Sequence, residues 1–118
     1  MRAPGRPVPQ LPWGYRSMWV IALFDLPTGV PKQRKAYARF RKDLLDDGFT
    51  MMQFSVYSRH CASIENAEVH VARMADRLPP EGEVRFLTIT DKQFSRIKCF
   101  WGKKRKPTEK AAAQLELF

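Results

Sequence analysis

Asp25 is the residue in this chain best placed to do chemistry. It closes the run M-W-V-I-A-L-F-D at Met18 to Asp25, seven uninterrupted apolar residues and then one carboxylate, with Pro27 breaking the run two positions later. A run this short, rich in β-formers and ended by a proline, reads as a buried strand. Asp25 then sits at the strand's C-terminal end, where a sheet edge is open to ligands. An Asp-x-Pro is also a common way of capping a turn, so the residue alone does not decide its role. The second chemical feature is cationic. Lys32 to Lys42 holds six bases and no acid, with Lys32, Lys35, Arg39 and Lys42 falling together on one side of a helix and Arg34 and Arg41 at its flanks. A third is the dense run Lys103, Lys104, Arg105 and Lys106 near the C-terminus. His60 and His70 have no metal-ligand spacing with Cys61 or Cys99, and no Ser-His-Asp constellation is arguable. His70 reads as structural or exposed.

The formal charge of +9 divides unevenly. Residues 1–17, 18–101 and 102–118 each carry +3, and outside Lys32–Lys42 the central segment is net negative. Positive charge confined to one helix and two tails points to a polyanion, most often nucleic acid. A solvated helix face and a solubilising tail are the plain alternatives. Two cysteines are too few for a disulfide scaffold and fit reduced thiols in a cytoplasmic protein. No stretch approaches the roughly 20 apolar residues of a membrane helix, and the N-terminus lacks the apolar segment of a secretory signal.

These residues need elements to hold them. Residues 1–17, with Pro4, Pro7, Pro9 and Pro12, read as a disordered or loosely packed extension. After the first strand, Pro31 suits the first turn of a helix that runs to about Asp47, with Gly48 ending it. Ala36, Tyr37, Phe40 and Leu44 make its buried stripe. Phe49–Gln53 and Phe54–Cys61 read as two strands meeting near Gln53-Phe54, a single bent strand being the alternative. Phe49, Phe54 and Tyr57 read as core packing, because G-F-T-M-M-Q-F lacks the glycine-spaced signature of an RNA-recognition module. Ser63 can cap a second helix, Ile64–Leu78, with Ile64, Ala67, Val71, Met74 and Leu78 as its stripe. Val84–Asp91 is a further strand, Asp91–Arg96 a turn or short helix, and Ile97–Trp101 a last edge strand.

Strand, helix, strand, strand, helix, strand is the order of an α+β, ferredoxin-like βαββαβ domain spanning 18–101, with an additional C-terminal edge strand and then a basic, flexible tail, 102–118. Right-handed crossovers put both helices on one face of a four-stranded antiparallel sheet. The strands are apolar on both parities, so the open face should meet a copy of itself and form a homodimer.

At this point the residues resemble a known family. M-W-V-I-A-L-F-D-L-P, the block R-K-A-Y-A-R-F-R-K-D-L-L-D-D-G-F-T-M-M-Q-F-S-V-Y-S-R-H-C, then E-N-A-E-V-H and L-T-I-T-D-K-Q-F, are similar to the second core adaptation protein of CRISPR systems, the Cas two (Cas2) family, in the variant that accompanies the Cas nine effector. The resemblance covers residues 18 to about 101. It implies a homodimer that bridges dimers of the CRISPR integrase (Cas one) while the complex captures double-stranded DNA and inserts it as new spacers. It also implies, as an alternative, a magnesium-dependent endonuclease acting on RNA or DNA. A toxin-like ribonuclease of similar fold is a third reading.

Ser55 matches the family's Q-x-S-V strand, which implies a packing or hydrogen-bonding role. Asp25 matches the family's aspartate at the end of the first strand. Two copies apposed across a two-fold axis raise each other's proton affinity unless a cation neutralises them, and Mg2+ needs only one or two carboxylates besides water and phosphate. Arg34 matches a basic position near the helix start and is expected close to Asp25, where it would stabilise charge on a phosphate. Lys32, Lys35, Arg39, Lys42, Arg59 and the run Lys103, Lys104, Arg105, Lys106 are the expected nucleic-acid contacts. The terminal Q-L-E-L-F, with Gln114, Leu115, Leu117 and Phe118, resembles the peptide by which bacterial proteins dock on the replication sliding clamp; packing on the integrase or disorder are the alternatives.

Overall fold

The apolar run does form the central strand. A computed structural model describes residues 16–102 and, for the backbone, 104–106. In it β1 (Met18–Asp25) pairs antiparallel on one side with β3 (Val56–Cys61) and on the other with β4 (Glu83–Thr90), while β2 (Thr50–Gln53) adds outside β3. The sheet order is β2-β3-β1-β4, with every neighbouring pair antiparallel. Two helices connect these strands, α1 (Pro31–Asp46) and α2 (Ile64–Ala75).

Strand alternation sends Met18, Val20, Ala22 and Phe24 into one core with Phe40 and Leu44 of α1 and Ala67 and Met74 of α2. Burying side chains of this size contributes roughly 1.5–3 kcal/mol each relative to exposure. This layer carries most of the fold. The opposite parity, Trp19 and Ile21, joins a second cluster with Phe94. Phe94 belongs to a short helix, α3 (Asp91–Phe94), whose start is fixed by Thr90 and Gln93 capping each other's backbone N–H groups at 3.1 and 2.9 Å. Its ring stacks on Trp19 with centroids 3.8 Å apart, and the Trp19 indole donates to Asp91 at 2.7 Å. The face without the two long helices is therefore partly roofed by α3, although Leu23 and Leu87 remain exposed there.

Local chemistry explains the boundaries. Pro31 occupies the first turn of α1, and in place of a side-chain cap at Val30 the Gln33 side-chain Oε1 accepts from the backbone N–H groups of Gly29 and Val30 at 3.0 and 3.1 Å. Gly48, at φ +93, takes the left-handed conformation that ends α1. Ser63 caps α2 by accepting from Asn66 N–H at 3.1 Å. Helix α2 stops at Ala75, earlier than the apolar periodicity predicts, and Leu78 is exposed in the following turn.

Residues 49–61 form the two strands expected and not a single bent one: β2 and β3 make a hairpin that turns at Phe54-Ser55, with Ser55 at φ 62. Two expectations are corrected. Phe49 and Tyr57 are buried, but Phe54 is not a core residue: it sits at the tip of that turn, 77% exposed. The additional strand does not extend the main sheet. Here β5 (Cys99–Trp101) pairs with β6 (Lys104–Lys106) as a separate two-stranded hairpin turning through Gly102, while Ile97 packs beneath α3 on the second cluster. The backbone of Lys104–Lys106 is thus a strand within the segment read as tail. Cys61 and Cys99 are both free thiols.

Candidate functional site

Asp25 is exposed at the end of β1, and no hydrogen bond or ion pair to its carboxylate is present among the described residues. Its register partner across β4 is Glu83, so the two carboxylates emerge side by side on the face carrying Trp19, Ile21 and Leu23. Like charges at such a cross-strand position repel. Glu83 is partly compensated by Arg85, whose Nε donates to it at 2.7 Å. No group of three or more His, Cys, Asp or Glu side chains able to hold a metal occurs among the described residues. One chain thus offers Asp25, with Glu83 beside it, and no closed metal cage.

The loop after Asp25 is held from above by Gly82. This glycine lies at φ +95, and a Cβ there would fall 2.7 Å from the Asp25 carbonyl oxygen and from the Leu26 side chain. Only a residue without a side chain lets the chain entering β4 cross so near to Asp25. Arg34 is on the first turns of α1, but its guanidinium donates to the Thr28 carbonyl at 3.1 Å and not to Asp25. It braces the β1–α1 loop that follows Asp25.

The cationic stripe is placed as its spacing predicts. Lys32, Lys35, Arg39 and Lys42 are all exposed on α1. Lys42 is neutralised by Asp46 at 2.7 Å, and that hydrogen bond raises the ammonium's pKa. Lys32, Lys35 and Arg39 have no acidic partner among the described residues. Lys35 and Arg39 border a groove of about 610 Å³ between α1 and the turn after α2, with Arg77, Pro79 and Pro80 on its far side. The charges oppose the helix dipole. Bases occupy the first turns of α1, no acid is there, and no base stands in the last turn. Each such placement costs a few tenths of a kcal/mol or more in helix stability, so helix formation does not account for it. A bound anion does.

Arg59 is built into the fold. It points to the helix side of β3, where Nε donates to the Asp47 carbonyl at 2.7 Å and Nη1 to the His60 carbonyl at 2.8 Å. Ser55 hydrogen-bonds Tyr37 through their hydroxyls at 3.2 Å, the packing role expected of it. Lys103, the side chains of Lys104, Arg105 and Lys106, and Gln114, Leu115, Leu117 and Phe118 lie outside the described residues.

Sequence reasoning missed a polar junction between the two helices. The Asp47 carboxylate, 6% exposed, accepts from Arg73 at 2.6 Å and from His70 Nδ1 at 2.8 Å, His70 being buried beside it. Burial opposes ionisation of Asp47, but hydrogen bonds from Arg73 and His70, with the accompanying positive charge, outweigh it and hold the carboxyl below its ordinary range. The only sequence signal was His70 and Arg73 one turn apart on α2.

The comparisons with known proteins fit this geometry. Residues 18–97 match the family model for CRISPR associated protein Cas2. The chain belongs to the Cas2 family. A relative from Parvibaculum lavamentivorans, named CRISPR-associated endoribonuclease Cas2, is 75% identical over 101 residues, 86% of this chain and 100% of its own. One from Flavobacterium psychrophilum with the same name is 55% identical over 104 residues, 88% of this chain and 90% of its own. A solved structure described as the crystal structure of cas2 superposes with a TM-score of 0.52 at 20% identity, covering 80% of this chain and 98% of that one, and supports the Cas2 fold alone. No helix among the described residues is long and apolar enough to cross a membrane.

Proposed function

We propose that this Cas2-family chain is a ferredoxin-like homodimer of the cytoplasm that binds duplex DNA along α1 and bridges CRISPR integrase dimers during spacer capture. The observation that carries this reading is the side of the sheet on which the charge lies. Lys32, Lys35 and Arg39 stand on the outer surface of α1, on the helix side, whereas Asp25 emerges on the opposite face. Cations set apart from the carboxylate serve to hold a phosphate backbone, which they neutralise without reading bases. The open face supports self-association: Leu23 and Leu87 are exposed on it, Leu87 by 50% in the middle of β4. Lys103–Lys106 would extend the DNA path, and the terminal Q-L-E-L-F would dock on the sliding clamp.

The experiment mixes the protein, the integrase and a short duplex on a sizing column. Replacing Lys32, Lys35 and Arg39 together with Gln is expected to remove DNA from the ternary peak and to flatten the salt dependence by up to about 3 × 0.9 in log–log slope. Unchanged DNA retention and slope would dismiss α1 as the interface.

A second reading is favoured by the exposed carboxylate and by the relatives' printed names: a magnesium-dependent endonuclease working through Asp25, with Arg34 near its loop. Asp25 fits Mg2+, which keeps most of its waters and asks for one or two carboxylates; Glu83 would be the second. Bound there, the ion would polarise a phosphate or activate water. Asp25→Asn separates the readings. Integration that survives the change favours the scaffold, and integration lost from an intact complex favours catalysis.

A further inference from the structure

Phe54 stands at the tip of the β2–β3 hairpin with 77% of its surface in water. Single exposed apolar side chains are ordinary, but this one is held in a fixed pose. Ser55 behind it adopts φ 62, its carbonyl accepts from Phe24 N–H at 3.1 Å, and its hydroxyl bonds Tyr37 at 3.2 Å. The Phe54 ring stacks on Tyr37 with centroids 5.8 Å apart and planes 18° from parallel, and Tyr37 in turn meets Phe24 edge-on at 5.9 Å. One ring face is backed by tyrosine and the other is left to solvent.

The surroundings are cationic. Arg34, Tyr37 and Arg41 follow each other at i, i+3 and i+7 on α1, so both arginines share the helix flank that carries the aromatic pair. Both are exposed; Arg34 bonds only the Thr28 carbonyl, and neither meets an acid among the described residues. An aromatic face flanked by guanidinium groups that no acid neutralises is the arrangement that binds single-stranded nucleic acid, the ring taking a base and the cations its phosphates. An apolar protein partner would want a wider patch, whereas Gln53 and Ser55 adjoin the ring in the turn.

We infer that Phe54, backed by Tyr37 and flanked by Arg34 and Arg41, is a stacking platform for an unpaired base at the end of a bound duplex. The inference rests on the proposed nucleic-acid function and adds to it a site for single-stranded ends. The Phe24–Ser55 bond ties this platform to the strand that ends in Asp25, so a splayed end is held at that end of the sheet.

The test compares binding of the full chain to a blunt duplex and to the same duplex carrying a few unpaired 3′ nucleotides, one of them 2-aminopurine. Phe54→Ala is expected to weaken the overhang duplex roughly five- to hundredfold, leave the blunt duplex unchanged, and abolish the quenching of 2-aminopurine on binding. Phe54→Trp restores both signals, and Phe54→Leu restores neither. The platform is overturned if Ala affects both duplexes alike or neither, or if Leu restores binding, which would mark an apolar docking point instead. Wild-type protein that binds neither duplex would take the underlying nucleic-acid reading down with it.

Discussion

Replacing Asp47 with Ala tests whether the polar junction holds α1 against α2. Asp47 follows the last residue of α1, and its carboxylate accepts two bonds from α2. Without it, His70 Nδ1–H, in a side chain only 7% exposed, is left with no acceptor. An unsatisfied buried donor costs about 1–3 kcal/mol. The Arg73 bond is worth less, because that side chain is 50% exposed and water screens it; roughly 0.2–1 kcal/mol is the usual range. The expected loss is therefore about 1–4 kcal/mol at neutral pH. The pH dependence has a fixed sign. The folded carboxyl titrates below 3.8, its ordinary value, so its contribution is full above 3.8 and disappears as pH falls through the lower folded value. The wild-type advantage should shrink across that acid window and nowhere else. Urea unfolding followed by fluorescence of buried Trp19, at one fixed protein concentration, measures both quantities. Equal stabilities at neutral pH, or a gap that persists unchanged into strong acid, would refute the reasoning.

Gly82→Ala should destabilise the fold by roughly 2–4 kcal/mol, since it combines a left-handed backbone with a Cβ 2.7 Å from the Asp25 carbonyl oxygen; a melting temperature equal to wild type would show that the turn relaxes freely. Leu87→Glu, half-exposed on the open face in the middle of β4, should convert the proposed dimer to monomer on a sizing column while leaving the far-ultraviolet circular dichroism intact, and an unshifted elution volume would place the self-association surface elsewhere.

What the sequence made legible follows periodicity. The run Met18–Asp25 announces a buried strand because alternation is absent, and the stripe Ala36, Tyr37, Phe40, Leu44 places α1 against it; both lie as expected, with Phe40 and Leu44 fully buried. Caps such as Ser63 are readable because they act over three residues. Register is not readable. Glu83 comes to lie beside Asp25 only through an antiparallel pairing 58 positions away in the chain. The Asp47–His70 bond spans 23 positions for the same reason. Phe54 was misjudged because an aromatic among β-formers looks like core until the two-residue turn is known. The last strand had the right composition, but nothing local distinguishes a partner in the main sheet from one in a separate hairpin.

The separation of charge across the sheet bears on how catalysis and scaffolding divide in this protein. At this end of the sheet a single chain presents Asp25, without a hydrogen-bond or ion-pair partner among the described residues, and Glu83, engaged by Arg85. The cations Lys32, Lys35 and Arg39 on α1 face away from Asp25, and Arg34 braces the Thr28 carbonyl. Phosphodiester cleavage would need phosphate, carboxylate and positive charge to converge on one side. Within one protomer they diverge, so convergence requires either the second copy or a nucleic-acid end bent around the edge of the sheet. The β2–β3 turn stands at that edge, since Ser55 accepts from the backbone of Phe24, the residue before Asp25. Backbone binding along α1 needs no such convergence and is complete in each chain, which makes it the simpler use of the geometry.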